Sequence, residues 1–546
     1  MSPPKDPRQW TGRWAAPWLL AAGVFLLVAS TAPHYGLTWD EPAYFHASDL
    51  HIQWLADFGK NLLEGRVSQS LQDDVIKAAW HSDPYYVPHP PFSRILSELT
   101  KALFSPFLDK FVAYRFAPAL FFALLVTVMY LWMTELFNRA AGLFSALTLI
   151  LIPNLFGFAH FAVTDMPLTA MWFLTAYCFW RGLENWKWSV LLGIVWGLAL
   201  ATKFPVFLMP IPLLLWAHIY YRRSYANNLF AMIFLSPLVM IASQPYLWHQ
   251  TFLRILEFLY EGVSRAYRPE TNYLIFFFGR RYFTSDLPWY YPFFMVGITT
   301  PETILALSLI GVASIPWLQG QRAVTVLWLF NAAFILIMGL LPGAVLHDGV
   351  RQLLPLLPFL GALAGVGLFR LVEYFTGLGQ KAAALKGINH LKAKIAGVMF
   401  LLLLFPPALD LFLYHPYELS YYNRLVGGIR GAYQRGLEVT YFMEAFTPDF
   451  MDFLNKKLPQ NSVINASFSN FMFEYYQEEG RLRQDFRITE KEDFDYYILL
   501  NRRSASSGVK RVLSREDLKT YASVQLASVP LVLVYKTDTQ NSKAGK

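Results

Sequence analysis

The sequence predicts an α-helical polytopic membrane protein, with about eleven transmembrane helices and a small C-terminal α/β domain outside the membrane. Three observations predict it. Only 15% of the 546 residues are charged and 55% are hydrophobic, whereas a soluble domain carries about 25% charged residues. Aromatic residues reach 17%, which suits a chain with many membrane–water boundaries. Apolar runs of near-spanning length recur from the N-terminus to about residue 413. The formal charge of +8 does not point to nucleic acid, because Lys and Arg fall in short gaps between apolar runs and not on one stripe. The single cysteine, Cys178, lies inside an apolar run, which excludes an intrachain disulfide and says nothing of redox compartment.

The apolar segments cover roughly residues 17–33, 112–136, 141–155, 166–182, 188–203, 205–220, 229–243, 293–317, 323–341, 352–372 and 393–413. Several approach the ~20 residues that cross hydrocarbon as a helix. The third to fifth are short, as broken helices lining a cavity can be. The first is too long for a removed signal peptide and has no small-residue cleavage site before Pro33. Basic residues orient the set. Lys5, Arg8 and Arg13 precede the first run. Arg139, then Arg181 and Lys187, then Arg222 and Arg223, then Arg322, then Lys381, Lys386, Lys392 and Lys394 fall in every second gap. The N-terminus is therefore expected in the cytoplasm of a plasma (inner) membrane protein. Residues 1–413 would form the membrane domain. The gaps 34–111 and 244–292 and the tail 414–546 would lie outside.

The two long gaps mix aromatic and charged residues at helical spacing, as in Ile52, Leu55, Phe58 and Leu62, and in Phe252, Ile255, Phe258 and Leu259. Helices of that kind lie in the membrane interface. The tail predicts a helix near Asp449–Lys457 and strands at Tyr496–Leu500 and Val529–Tyr535. No internal repeat, phosphate-binding loop, dinucleotide fingerprint or Cys/His metal spacing occurs. No cofactor is therefore expected, with a divalent ion left open.

Candidate chemistry gathers at the outer ends of the spans. Asp40 and Glu41 follow the first apolar run, in Thr38-Trp39-Asp40-Glu41-Pro42, with Pro42 at a predicted first helical position. An ionised carboxylate there can accept a proton from a hydroxyl, although capping alone would also account for Asp40. Asp165, in Thr164-Asp165-Met166-Pro167, falls on the same side and is likewise a natural cap. Lys203 ends a short span where the positive-inside rule does not require a cation. It could neutralise a phosphate or simply snorkel. His347-Asp348-Gly349-Val350-Arg351 opens the tenth run. Arg351 offers the planar fork that suits phosphate, or a surface pair with Asp348.

Taken in order, Trp39-Asp40-Glu41-Pro42, His89-Pro90-Pro91, Thr164-Asp165-Met166-Pro167, Thr202-Lys203, His347 to Arg351 and His415-Pro416-Tyr417-Glu418-Leu419-Ser420-Tyr421-Tyr422-Asn423 resemble the motifs of GT-C glycosyltransferases. The likeness is to the bacterial family 39/83-like group, related to protein O-mannosyltransferases and the lipid A aminoarabinose transferase, and it runs along essentially the whole chain. The resemblance implies a GT-C-like membrane fold, a polyprenyl-phosphate-linked sugar donor, an extracytoplasmic site and inversion at the anomeric carbon. It implies catalytic roles for Asp40, Glu41 and Asp165, with Asp40 as general base. Many members carry a Lys before a Thr-Pro pair, but Thr299-Thr300-Pro301 here lacks it. Donor-phosphate contact is therefore expected from Lys203 and Arg351, with His89, His347 and Asp348 as further candidates. The acceptor could be lipid A, a polysaccharide, another lipid or a protein hydroxyl, and nucleic acid is not an expected partner. A lipid or glycolipid flippase would instead show twofold repeats with interrupted helices. An oligosaccharyltransferase-like enzyme would call for a carboxylate-rich metal set, which Asp40, Asp165 and Asp348 could supply by converging.

Overall fold

Long apolar helices dominate the molecule, a computed structural model that describes residues 8–81, 89–222, 225–264, 268, 272–382, 388–505 and 512–538. Lys5, Arg223 and Lys386, used above to orient the spans, lie outside the described residues. Five helices are long and apolar enough to cross a membrane: Ala15–His34, Lys110–Leu136, Phe204–Tyr221, Arg351–Phe375 and Gly397–Tyr414. A sixth is obtained if Tyr291–Thr299 and Glu302–Ala313, bent by 117°, count as one broken span.

The expectation of eleven transmembrane helices is therefore corrected to five or six among the described residues. The reason is length and bending. Arg139–Ile150, Trp186–Leu200, Ala226–Ala242 and Arg322–Met338 are apolar but hold only 10–17 residues each. At 1.5 Å per residue a helix of 12 residues rises about 18 Å, well short of a hydrocarbon core of about 30 Å. Asp165–Gly182 reaches 18 residues but is not apolar enough to count, with Asp165 in its first turn and Arg181 in its last. An apolar run in sequence does not distinguish a helix that faces lipid from one that faces other helices. The alternation of basic gaps, which depended on eleven crossings, loses its count with them.

The broken span shows how the bundle tolerates a sharp bend. Its break at Thr299–Pro301 frees carbonyl groups that a continuous helix would satisfy. The Asn423 side-chain amide donates to the carbonyls of Gly297 and Thr300, both at 2.7 Å, and its backbone N–H donates to Ile298 at 2.8 Å. Beyond the bend, Glu302–Ala313 packs on the helix Leu357–Ala382 through two glycines. A Cβ on Gly311 would fall on the Leu363 carbonyl oxygen, and one on Gly367 would fall on that of Leu307. The backbones touch because neither glycine has a side chain.

The two long gaps form the amphipathic helices read from their spacing, Glu41–Leu63 and Thr251–Ser264. The second gap adds a hairpin, with β1 (Leu274–Phe277) antiparallel to β2 (Arg280–Phe283). In the tail, the helix Pro448–Lys457 precedes a sheet of β3 (Val463–Asn465), β4 (Arg487–Ile488), β5 (Tyr496–Leu500), β6 (Leu518–Leu526) and β7 (Val529–Thr537). Its order is β4-β3-β5-β7-β6, parallel at β4-β3-β5 and antiparallel at β5-β7-β6. β5 is Tyr-Tyr-Ile-Leu-Leu and every residue is buried, as an unbroken apolar run in a covered central strand should be.

The first gap, the second gap and the tail meet at one end of the bundle. Leu37 N–H donates to the Tyr476 hydroxyl at 2.8 Å, and Trp39 N–H donates to the Phe442 carbonyl at 3.2 Å. Gly279 N–H donates to the Gly436 carbonyl at 2.9 Å.

Candidate active site

Five of the eight residues singled out from sequence converge at that end. Arg351 is their centre. Its Nε donates to Asp165 Oδ2 at 3.1 Å, its Nη1 to Asp348 Oδ2 at 3.1 Å and its Nη2 to Asp40 Oδ2 at 2.6 Å. Each nitrogen of the guanidinium thus meets a different carboxylate, and the Phe442 ring covers the group, its centroid 4.0 Å from Cζ. Lys203 Nζ donates to Asp165 Oδ1 at 2.9 Å and to Gln352 Oε1 at 3.3 Å. The three aspartates converge as the metal alternative required, but they do so on an arginine. Among the described residues no group of three or more His, Cys, Asp or Glu is arranged to hold a metal ion.

Local sequence places each of these side chains. Asp40 sits at the N-cap of Glu41–Leu63, ahead of Pro42, yet its side chain makes no capping bond. It reaches Arg351 instead. Asp165 is the first residue of its helix, and Thr164, at the cap, makes no side-chain capping bond. Lys203 is in extended backbone between two helices, before a short 3-10 turn that Pro205 begins to fix. Asp348 and Gly349 both take positive φ, +56° and +66°. That left-handed turn suits Asp and Gly better than most residues and aims Arg351 back across the site.

Exposure separates the members. The Asp40 side chain keeps 32% of its surface exposed, against 1% for Asp165, 7% for Lys203 and 5% for Arg351. Burial raises the Asp40 carboxyl above the ordinary aspartate value, ahead of the opposing pull of Arg351. Burial acts on Asp165 in the same direction, but Arg351 and Lys203 together outweigh it and hold that carboxyl down at about 2. The two acids therefore differ in readiness to take a proton. A cavity of about 20 Å³ touches Asp165, Lys203, Arg351 and Gln352, room for about one water molecule.

The remaining candidates are placed otherwise. Glu41 is fully buried and takes a two-pronged pair from Arg115, Nε to Oε1 and Nη2 to Oε2, both at 2.8 Å. It also accepts from the backbone N–H groups of Ala162 and Thr38, at 3.0 and 2.9 Å. His347 flanks Asp348, its Nε2 3.7 Å from Oδ2, and its ring stands against Tyr273. His89 lines a separate cavity of about 230 Å³ between the two long gaps, with His81, Arg94, Arg254 and Arg268 also in its wall. Arg94 joins that wall to the aspartate cluster, since its guanidinium lies 5.8 Å from the ring centroid of Tyr44, one turn after Asp40.

Sequence reasoning missed the tail's part in the site. Arg502, just after β5, pairs with Asp348 at 3.0 Å and lies over the Trp39 ring at 4.3 Å. Glu444 is buried next to it. Burial first, then the charge of Asp348, push its carboxyl up to about 7. Neither residue carries a sequence signal, because both are ordinary tail residues until the sheet turns them inward.

Comparison with known proteins adds to this geometry. Residues 88–249 match the model of the family described as dolichyl-phosphate-mannose-protein mannosyltransferase. That stretch contains His89, Asp165 and Lys203, so the relation to mannosyltransferases of this type, read from the motifs, is borne out there. No curated protein sequence matches the chain. Similar solved structures include ArnT from Cupriavidus metallidurans bound to undecaprenyl phosphate, at 15% identity and a TM-score of 0.47, covering 95% of this chain and 98% of that one. The apo state of ArnT gives a TM-score of 0.48, with 97% and 99% covered. The oligosaccharyltransferase AglB from Archaeoglobus fulgidus, in complex with an inhibitory peptide and a dolichol-phosphate, is 11% identical, with a TM-score of 0.43 and 89% and 69% covered.

Proposed function

We propose that this chain, related to the mannosyltransferase family over residues 88–249, is an inverting membrane glycosyltransferase. It moves a sugar from a polyprenyl-phosphate-linked donor to a hydroxyl of an extracytoplasmic acceptor. The convergence of Asp40, Asp165, Asp348, Lys203 and Arg351 from four separated segments at one end of the bundle carries this reading. Buried, mutually paired charges at such a place are costly and are kept where they serve a site.

The chemistry is a single displacement. The acceptor hydroxyl must face the anomeric carbon opposite the leaving phosphate. Holding both partners in one cavity supplies up to ~7–11 kcal/mol in well-aligned cases. Asp40, the most exposed of the acids and the one whose carboxyl is raised, takes the hydroxyl proton. Lys203 and Arg351 face the negative charge that grows on the departing phosphate. Asp165 holds both cations in place. Glu41, saturated by fixed donors, shapes the loop that carries Asp40 and takes no proton. The polyprenyl chain stays in the bilayer while its headgroup enters at the outer end. Residues 414–546 form an extracytoplasmic part that closes over that end. The cavity around His89, whose wall carries Arg94, Arg254 and Arg268 together with Glu257 and Glu261, is the approach for a headgroup.

The test uses the purified chain in lipid nanodiscs with a radiolabelled polyprenyl-phosphate sugar. Release of polyprenyl phosphate should depend on the chain and on an acceptor extract from its own cell envelope. Mass spectrometry of lipids and glycans from a deletion strain should show one product lost. An unchanged glycan and lipid profile, together with no donor turnover, would sink the proposal.

A further inference from the structure

The aspartate cluster is charge-balanced before any donor arrives. Three carboxylates, Asp40, Asp165 and Asp348, face three cations, Lys203, Arg351 and Arg502. All three nitrogens of Arg351 already point at carboxylates. Three of its five N–H groups are so engaged, and a phosphate that binds the Nη fork on the Asp348 side takes the place of Asp348, whose fully buried carboxylate would then be an unpaired charge. Such a charge is costly unless a second cation holds it.

Asp348 alone has that second cation outside the Arg351–Lys203 pair. Its Oδ2 meets Arg351 Nη1 and its Oδ1 meets Arg502 Nη2 at 3.0 Å. Asp165 also has a second partner, but Lys203 is itself needed for phosphate in the proposed reaction. Arg502 is held rigidly for its task. Its Nη1 donates to the Tyr441 carbonyl and its Nε to Ser504 Oγ at 3.3 Å, while Trp39 lies beneath the guanidinium. The neighbouring backbone is clamped as well. Glu438 accepts from the N–H groups of Arg503 and Ser504 at 2.6 and 2.9 Å, and Arg281 donates to the Arg503 carbonyl at 2.9 Å.

We infer that Arg502 is a positioning residue that keeps Asp348 neutralised, so that Arg351 can exchange Asp348 for the phosphate of the donor. The inference rests on the proposed use of a polyprenyl-phosphate donor. It makes the tail a working part of the site, since the tail's β5 end delivers the counter-ion.

The experiment is direct binding of a short-chain polyprenyl phosphate to the full chain in nanodiscs, for the wild type, Arg502→Gln, Arg502→Lys, and Arg502→Gln combined with Asp348→Asn. Arg502→Gln should weaken binding about tenfold or more, because Asp348 then holds Arg351 against the phosphate. The double variant should recover most of that loss, since no carboxylate at residue 348 competes for Arg351. Arg502→Lys keeps the charge and should stay within a few-fold of wild type. Should Arg502→Gln fail to fold, the double variant and Arg502→Lys still decide. Wild-type affinity in Arg502→Gln overturns the inference. So does a double variant as weak as the single one, or an Arg502→Lys as weak as the Gln variant, because a merely structural arginine would give those results. A wild-type chain that binds no polyprenyl phosphate overturns the proposed function itself, and the inference with it.

Discussion

Asp40 and Glu41 are neighbours in sequence, each faces an arginine, and the two surroundings are opposites. Glu41 receives five donors, two from Arg115, two from backbone N–H groups and one from the Thr38 hydroxyl, and Arg115 spends its remaining N–H groups on the carbonyls of Ala32, Tyr35 and Gly36. Every lone pair that matters is matched to a fixed donor, so the pair holds the first loop in shape. At Arg351 the balance runs the other way, with one guanidinium shared among three carboxylates. An oversubscribed cation can change partners, and a saturated one cannot. The difference separates a structural ion pair from one able to take part in chemistry.

The sharpest way to break that comparison is Asp40→Asn. The substitution keeps size and removes the proton acceptor, so turnover should fall about 10²–10⁴-fold. The melting temperature and donor binding should stay near wild type. Normal turnover in this variant would strip Asp40 of its role. Glu41→Gln should show the converse in the same assays. Leaving Arg115 buried without its anion should cost about 3–5 kcal/mol of stability, while each folded molecule keeps most of its activity. A stable but inactive Glu41→Gln would move the base by one residue.

The third measurement sharpens the comparison through pH. Asp40 acts as its carboxylate, and its carboxyl is raised by burial, with Asp348 among the charges that raise it. Protonation therefore removes activity as pH falls, and the acid limb of kcat should lie above the ordinary aspartate value of about 3.9. Asp348→Asn takes away one raising charge and should move that limb to lower pH. A limb at the ordinary value in the wild type would show that the titrating group lies elsewhere.

The legible and illegible parts of the molecule divide along physical lines. β5 was readable to the residue, Tyr496–Leu500, because a short β-rich run bounded by polar residues has few other fates. The amphipathic helices of the two long gaps were readable from their spacing. Sequence put Asp40, Asp165 and Arg351 on one side of the membrane by a count of eleven crossings that the structure does not keep, and it could not say that they would meet or that Asp348 and Arg351 would be buried. The number of crossings was not readable, because Arg139–Ile150 and Trp186–Leu200 are as apolar as spans and fail only in length. Arg502 and Phe442 were invisible, since their contact with the site depends on how the tail folds back over Trp39 and Arg351.

The paired glycines that join the broken span to its neighbour set limits on how this sequence can drift. Gly311 and Gly367 each face a backbone carbonyl of the opposite helix, not a side chain. No compensating change at the partner position can make room for a methyl group, because a backbone oxygen cannot be mutated away. In relatives that keep this helix pairing, both positions must remain glycine together. A homologue with alanine at either one has moved the helices apart, and with them the turn from which Arg351 reaches its carboxylates.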